Sequence, residues 1–429
     1  MIDKVYKRAT WLAAATIYEV NVRQYSHEGT FNAFAKELPR LKDMGVEVLW
    51  FMPVHPIGEK NRKGMEGSYY SVKDFKDVNP EYGTLQDFEI LVKKAHELEM
   101  KVIIDWVANH AAWDNVWTKE HPEYFERDAA GNFRPPYDWT DVIQIDHSSE
   151  EEQAAMIGAM KFWIENLDID GFRADLAHLT PLAFWKKART EIEPLKPELF
   201  WLAETEEIAY HEVFDASYTW EWMHKTEDFS KGKIGLQELC RVLEKYDYDF
   251  PVSAYRMYFT SNHDENSWNG TEYEKYGDLA KALAVFSVTW NGIPMIYSGQ
   301  ELPNLKRLKF FEKDTIEWKK ENTLHEFYKT LLSLKKKNLA LRACDKSVQT
   351  HFVSNDKNKK ILSYLRKSSS DEVFVVLNLG SEKETLQIRG SIVSGDFTDV
   401  FKKTSCRFDE EAIIQMQPYE FLVFEKNDQ

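Results

Sequence analysis

Eight times between residues 17 and 297 a short apolar or β-branched run returns, and helical periodicity fills most of the intervals. The runs cover 17–22, 46–52, 102–105, 169–175, 200–204, 213–217, 255–260 and 293–297. Near-continuous hydrophobic runs of this length suit strands buried on both faces, as in a parallel sheet. Between them, Phe31, Phe34, Leu38, Leu41 and Met44 recur at helical spacing with Pro39 as a kink. Thr84 is placed to cap a helix that buries Leu85, Phe88, Leu91, Val92, Ala95 and Leu98. The stretch 150–167 puts Ala154, Ile157, Met160, Phe162, Ile164 and Leu167 on one side. Eight such βα units over roughly 335 residues predict an α/β chain built on a (β/α)8 TIM barrel with insertions.

Two intervals break the alternation. Residues 111–145, rich in Trp, Pro, Asp and Gly, lack periodicity and read as a small excursion domain after strand three. Only about eight residues separate strands five and six, so the helix between them is short or missing. After residue 340 helical periodicity gives way to β-branched or alternating runs at 361–365, 373–379, 385–388, 397–400 and 421–425. These predict a C-terminal antiparallel β-sandwich. The expected organisation is a barrel over 1–110 and 146–340, the excursion over 111–145 and the sandwich over 341–429.

Composition narrows the partners. A net charge of −16 repels nucleic acid and anionic membranes, while a neutral substrate is compatible with it. No run of about 18 apolar residues offers a transmembrane helix. The amino terminus carries no targeting signal, so the expected location is cytoplasmic unless a leader was removed. Cys240, Cys344 and Cys406 are too few and too dispersed for a zinc site or disulfide framework; a single Cys344–Cys406 bridge stays open. The aromatic fraction of 14% suits sugar C–H faces as well as ordinary cores.

Chemistry gathers where barrel strands end. Asp105-Trp106-Val107-Ala108-Asn109-His110, Gly171-Phe172-Arg173-Ala174-Asp175, Leu202-Ala203-Glu204-Thr205 and Ser261-Asn262-His263-Asp264-Glu265-Asn266 fall at the ends of strands three, four, five and seven. In a barrel these ends converge on one mouth. Arg173 and Asp175 are two apart on a strand and share a face, so the guanidinium is expected to lower the carboxyl's pKa. Glu204 closes an apolar run, where burial would keep it protonated as a general acid. Two carboxyl groups so divided are what retaining glycoside cleavage needs, and Asp264 is a third acid facing the same mouth. Separately, each residue also has a structural reading: a rim ion pair, a helix cap, a core histidine.

Those four segments resemble the signature regions of the α-amylase family of glycoside hydrolases. Gly67-Ser68-Tyr69-Tyr70, with Asp74-Phe75 and the stretch 79–84, resembles the family's tyrosine loop after strand two, and 292–301 resembles its eighth strand. The resemblance implies that Asp175 is the nucleophile, Glu204 the acid/base and Asp264 a group that holds sugar hydroxyls and distorts the ring. It implies that His110, Arg173 and His263 bind that sugar, that Tyr70 stacks beneath it and that Asp105 supports the network. The chemistry itself needs no cofactor. The resemblance also offers a structural Ca²⁺, held by Asn109, Asp146 and the Leu179 carbonyl. Here the chain departs from the family: His178-Leu179 stands where many members have Lys-His, and Gln144-Ile145-Asp146 replaces a more acidic pattern. One carboxylate is few for a tight site, so a calcium ion and an Asn109 that only bonds loop backbone both stay open.

The expected substrate is an α-1,4-linked glucan derived from starch, or a maltooligosaccharide. The small excursion predicts a relatively open cleft suited to internal cleavage or to short oligosaccharides. A 4-α-glucanotransferase and a cyclomaltodextrinase or neopullulanase type share the chemistry and remain alternatives. A non-catalytic sugar-binding protein is disfavoured, because all three acids, Arg173 and both histidines are present. Oligomeric state is not readable.

Overall fold

Side chains two apart on a strand point the same way, and this period organises the barrel interior. The computed structural model describes residues 6–426 except 320, 322, 358, 391, 410 and 411. Before residue 300 its strands are β1 (Ile17–Val20), β2 (Val48–Phe51), β3 (Lys101–Trp106), β4 (His110–Ala112), β5 (Val142–Gln144), β6 (Gly171–Ala174), β7 (Phe200–Ala203), β8 (Ala216–Tyr218), β9 (Tyr255–Tyr258) and β10 (Ile293–Tyr297). Eight of them close into a parallel barrel in the order β1-β10-β9-β8-β7-β6-β3-β2. Ile17, Val48, Ile103, Phe200, Leu202, Met257, Ile293 and Met295 fill one internal cluster. One step further along the strands the inward positions turn polar: Glu19 follows Ile17, Asp105 follows Ile103 and Glu204 follows Leu202. All are buried. The interior is a packed apolar plug roofed by ionisable groups, so the chemistry lies at the C-terminal ends of the strands.

A second, larger cluster lies outside the barrel, between strands and helices, and includes Leu49, Phe51, Ile104, Phe172, Trp201, Tyr258 and Ile296. The helix Leu85–Glu97 starts on a capping box between Thr84 and Asp87. The helix Glu150–Leu167 starts on Ser149 and ends at Asp168 in the left-handed conformation. Pro39 does not kink one helix. It sits in the first turn of a separate helix, Leu38–Met44, that follows the single turn Phe31–Phe34. Between β7 and β8 only a 3₁₀ turn, Ile208–Glu212, forms. Strand six is displaced from its expected span, because Val213 still belongs to that turn.

The excursion leaves and returns through the antiparallel pair β4–β5, with His110 opposite Gln144. Beyond the barrel come β11 (Gln349–Phe352), β12 (Ile361–Lys367), β13 (Glu372–Asn378), β14 (Glu384–Gln387), β15 (Gly395–Asp399), β16 (Ser405–Phe408), β17 (Ile413–Met416) and β18 (Phe421–Lys426). They build a six-stranded sheet, β11-β12-β13-β18-β15-β16, faced by the pair β14–β17. Phe374, Val376, Leu386, Phe397, Ile414 and Phe424 pack between them. Arg366 docks this all-β unit on the barrel side by donating to the Ala340 and Arg342 carbonyls. Cys240, Cys344 and Cys406 form no disulfide, so the Cys344–Cys406 bridge is not made. Among the described residues no helix is long and apolar enough to cross a membrane.

Gly171 sets the position of β6. Its φ is +150°, and a Cβ there would stand 2.0 Å from the Phe200 carbonyl oxygen of β7. Backbone cannot yield as a flexible side chain can. Gly171→Ala is therefore expected to cost about 3 kcal/mol or more. Chemical denaturation of the purified variant, or its failure to accumulate as folded protein, checks this.

Candidate active site

Strand register brings the first two charged groups together. Asp105 of β3 lies opposite Arg173 of β6, and both side chains are fully buried. Arg173 Nη1 donates to Asp105 Oδ1 at 2.9 Å and to Asp175 Oδ1 at 3.0 Å. Its Nη2 lies 2.9 Å from Glu204 Oε2, a charge contact off the hydrogen-bond line. Its Nε donates to the Tyr218 hydroxyl, and the guanidinium sits 5.0 Å from the Trp50 ring centroid. One planar cation thus gathers three carboxyl groups from three neighbouring strands. Asp175 and Glu204 stand one step beyond their strand ends, and their backbone N–H groups continue the ladder to Trp106 and Ala174. Glu204 Oε2 also accepts from the Leu176 N–H at 2.9 Å.

The opposite wall is a second network. Tyr70 donates to Asp105 Oδ2 at 3.1 Å, and its oxygen lies 2.7 Å from His263 Nε2. His263 Nδ1 meets Glu19 Oε1 at 2.5 Å, and Nε2 lies 3.3 Å from Asp264 Oδ2. The His263 and Tyr70 rings stack at 5.4 Å. Asn109 Nδ2 donates to His110 Nδ1, which leaves the Nε2–H of a neutral His110 as a donor.

Burial and charge set the protonation states. Burial pushes Glu204 and Asp175 each up to about 7, and Asp105 to about 6, against the pull of Arg173. The lowered pKa expected for Asp175 is therefore not found: its cation is divided among three carboxyls, and desolvation outweighs the share left to it. Burial opposes charge on His263, but Asp264 and Glu19 outweigh it and raise the imidazole well above its ordinary value. Asp264, 38% exposed, is held below the usual carboxylate range, its partial burial overcome by His263. Burial lowers His110 to about 4.

These groups line a cavity of about 280 Å³ whose walls include Tyr70, His110, Asp175, Glu204 and Asp264. Trp139 and Phe310 complete its aromatic rim, and Lys63 pairs with Asp141 at 2.8 Å between the loop after β2 and the excursion. All eight residues expected in the substrate site therefore sit in one constellation. Asn109, Asp146 and Leu179 do not line it. Asn109 is instead bonded to Gln144, and Asp146 Oδ1 accepts from the Ser148 N–H. Glu19 and Tyr218 were not singled out from sequence. Glu19 lies inside β1 and Tyr218 is the last residue of β8, neither with a neighbouring motif, and only the inward period of the two strands would have marked them.

Known protein families match most of the chain. The family model described as "Alpha amylase, catalytic domain" matches residues 14–142 and 138–361, and "Alpha amylase, C-terminal all-beta domain" matches 352–426. The α-amylase MalA of Haloarcula japonica is 27% identical over 91% of this chain and 60% of its own length. An α-1,4-glucan:maltose-1-phosphate maltosyltransferase of Picrophilus torridus is 27% identical over 92% of this chain and 65% of its own. The chain thus spans about 60–65% of the length of these curated relatives. The crystal structure of a noncanonic maltogenic α-amylase, AmyB from Thermotoga neapolitana, superposes with a TM-score of 0.89 at 31% identity, covering 97% of this chain and 99% of that one.

The raised carboxyls carry a sign for stability. The folded state holds protons on Asp175 and Glu204 that the unfolded chain releases near pH 4, so these groups weaken folding as pH climbs from about 4 to about 7. Asp175→Asn and Glu204→Gln are expected to raise the thermal midpoint by about 2 °C at pH 8, with the gain vanishing toward pH 4. Calorimetry of both variants across pH measures this.

Proposed function

The chain belongs to the α-amylase family, and we propose that it hydrolyses α-1,4-glucosidic bonds of starch-derived glucans or maltooligosaccharides with retention of configuration. The observation that carries the reading is the single guanidinium of Arg173 in contact with Asp105, Asp175 and Glu204 at the barrel mouth. Asp175 attacks the anomeric carbon. The glycosidic C–O bond breaks as Glu204 passes its proton to the departing oxygen. A glycosyl ester on Asp175 results. Water then adds at the anomeric carbon, Glu204 takes the water's proton, and the ester bond to Asp175 breaks. Both acids near 7 suit this exchange, because one must be charged while the other holds a proton.

The remaining groups hold the sugar. His110 donates from Nε2 and Asp264 accepts sugar hydroxyl protons. The His263 imidazolium, oriented by Glu19, keeps Asp264 charged. Tyr70 supplies the apolar platform and is fixed through Asp105. The small cavity and the Lys63–Asp141 tie favour short oligosaccharides over long internal segments.

A second reading, glycosyl transfer, is favoured by the aromatic surface beside the site. Trp268 is 53% exposed and packs 5.3 Å from Phe310, whose ring lies parallel to Tyr70 at 6.3 Å. Such a surface can seat a sugar acceptor in place of water. Transfer also matches the maltosyltransferase among the relatives.

Glu204→Gln is expected to lose ~10³-fold in kcat on maltoheptaose yet still release about one equivalent of fluoride per chain in a rapid burst from α-maltosyl fluoride, whose leaving group needs no proton, before slow breakdown of the ester limits turnover. Asp175→Asn is expected to lose both reactions. Chromatography and fluoride release measure this pair. Equal activity of Asp175→Asn and the unaltered enzyme would refute the assignment. Products longer than maltoheptaose identify transfer.

A further inference from the structure

Asn109, which the family resemblance offers to calcium, meets a different partner here. Gln144 Nε2 lies 2.9 Å from the Asn109 carbonyl oxygen, 3.0 Å from Asn109 Oδ1 and 3.3 Å from the Ile145 carbonyl oxygen. All three neighbours are acceptors, which fixes the amide with its NH₂ toward them. Three oxygens converging on one point is the arrangement a hard cation uses. In this chain that point is a side-chain nitrogen. Among the described residues no carboxylate oxygen bonds to it, and Asp146 spends Oδ1 on the Ser148 N–H. Three neutral oxygens would hold calcium weakly, and the NH₂ already stands among them.

Position gives the amide its consequence. Asn109 and His110 lead from β3 into the excursion, and Gln144 and Ile145 lead back from it. The Ile145 N–H donates to the Asn109 carbonyl at 3.1 Å. Next to this clasp, His147 Nε2 bonds the Ala108 carbonyl at 2.9 Å, while its Nδ1 lies 2.9 Å from the buried Glu152. Both ends of the excursion are therefore fastened by protein donors, immediately behind His110. Among the described residues, the one cluster of three metal-ligand side chains, Asp43, His325 and Glu326, lies elsewhere. There the Lys329 ammonium already meets Asp43 at 2.7 Å.

We propose that the Gln144 carboxamide replaces a structural cation, so that the excursion is held to the barrel without metal. The full-length protein is compared by calorimetry in EDTA and in millimolar calcium chloride, with calcium binding followed by titration calorimetry. The unaltered protein is expected to keep its midpoint within ~1 °C between the two conditions and to show no stoichiometric calcium binding. Gln144→Ala is expected to lower the midpoint equally in both. Gln144→Glu sets a carboxylate against three oxygens. It is expected to lower the midpoint in EDTA, to recover it in calcium and to bind one calcium ion. If the unaltered protein loses several degrees in EDTA, or binds one calcium ion tightly, the proposal is wrong. Those two measurements decide it even where a variant fails to fold.

Discussion

A buried guanidinium shared by three carboxyl groups is the constraint around which the site is arranged. Arg173 has no access to water, and leaving it unpaired there would cost several kcal/mol. Asp105, Asp175 and Glu204 each meet it within 3.0 Å, so β3, β6 and β7 must keep their relative register. That register is set from below by close backbone packing at Gly171 and by the apolar plug of the barrel. The arrangement also carries a deficit of positive charge. Three acids divide one cation, and this is why burial wins and the carboxyls hold protons near neutrality. Weakened folding and poised acid–base chemistry thus have one physical origin.

Much of this was legible in the sequence because barrel geometry converts spacing into position. The eight apolar runs located the strands, and residues just past four of them located the acids. The span of the helix Glu150–Leu167 could be read from its periodicity, but its buried side only in part: Ile157, Met160, Ile164 and Leu167 are buried, whereas Ala154 is exposed and Met156, Ala159 and Trp163 take its place. Pro39 was harder: a proline inside a periodic stretch is compatible with a kink or with a new helix start, and tertiary packing chose the second. The short strands β11, β16 and β17 escaped notice because they are half exposed and carry a mixed pattern.

Electrostatics was the least legible layer. Pairing along one strand suggested that Arg173 belongs to Asp175. The competing claims of Asp105 and Glu204 depend on neighbours across the sheet, which spacing along the chain cannot show. Glu19 illustrates the same limit. It is one glutamate in an apolar strand, and its contact with His263 joins residues 244 positions apart. Gln144 could be seen as a departure from an acidic pattern, but only the oxygens around its amide reveal what the departure accomplishes.

The central claim is that Asp175 becomes covalently bonded to the sugar while Arg173 holds it in place. Its most direct test is to slow the second half of the reaction with a fluorinated α-maltosyl fluoride, digest the protein and locate the adduct by mass spectrometry. One glycosyl group per chain is expected, esterified to Asp175. An adduct on Glu204 or Asp264, or steady turnover with inversion at the anomeric carbon, would contradict it.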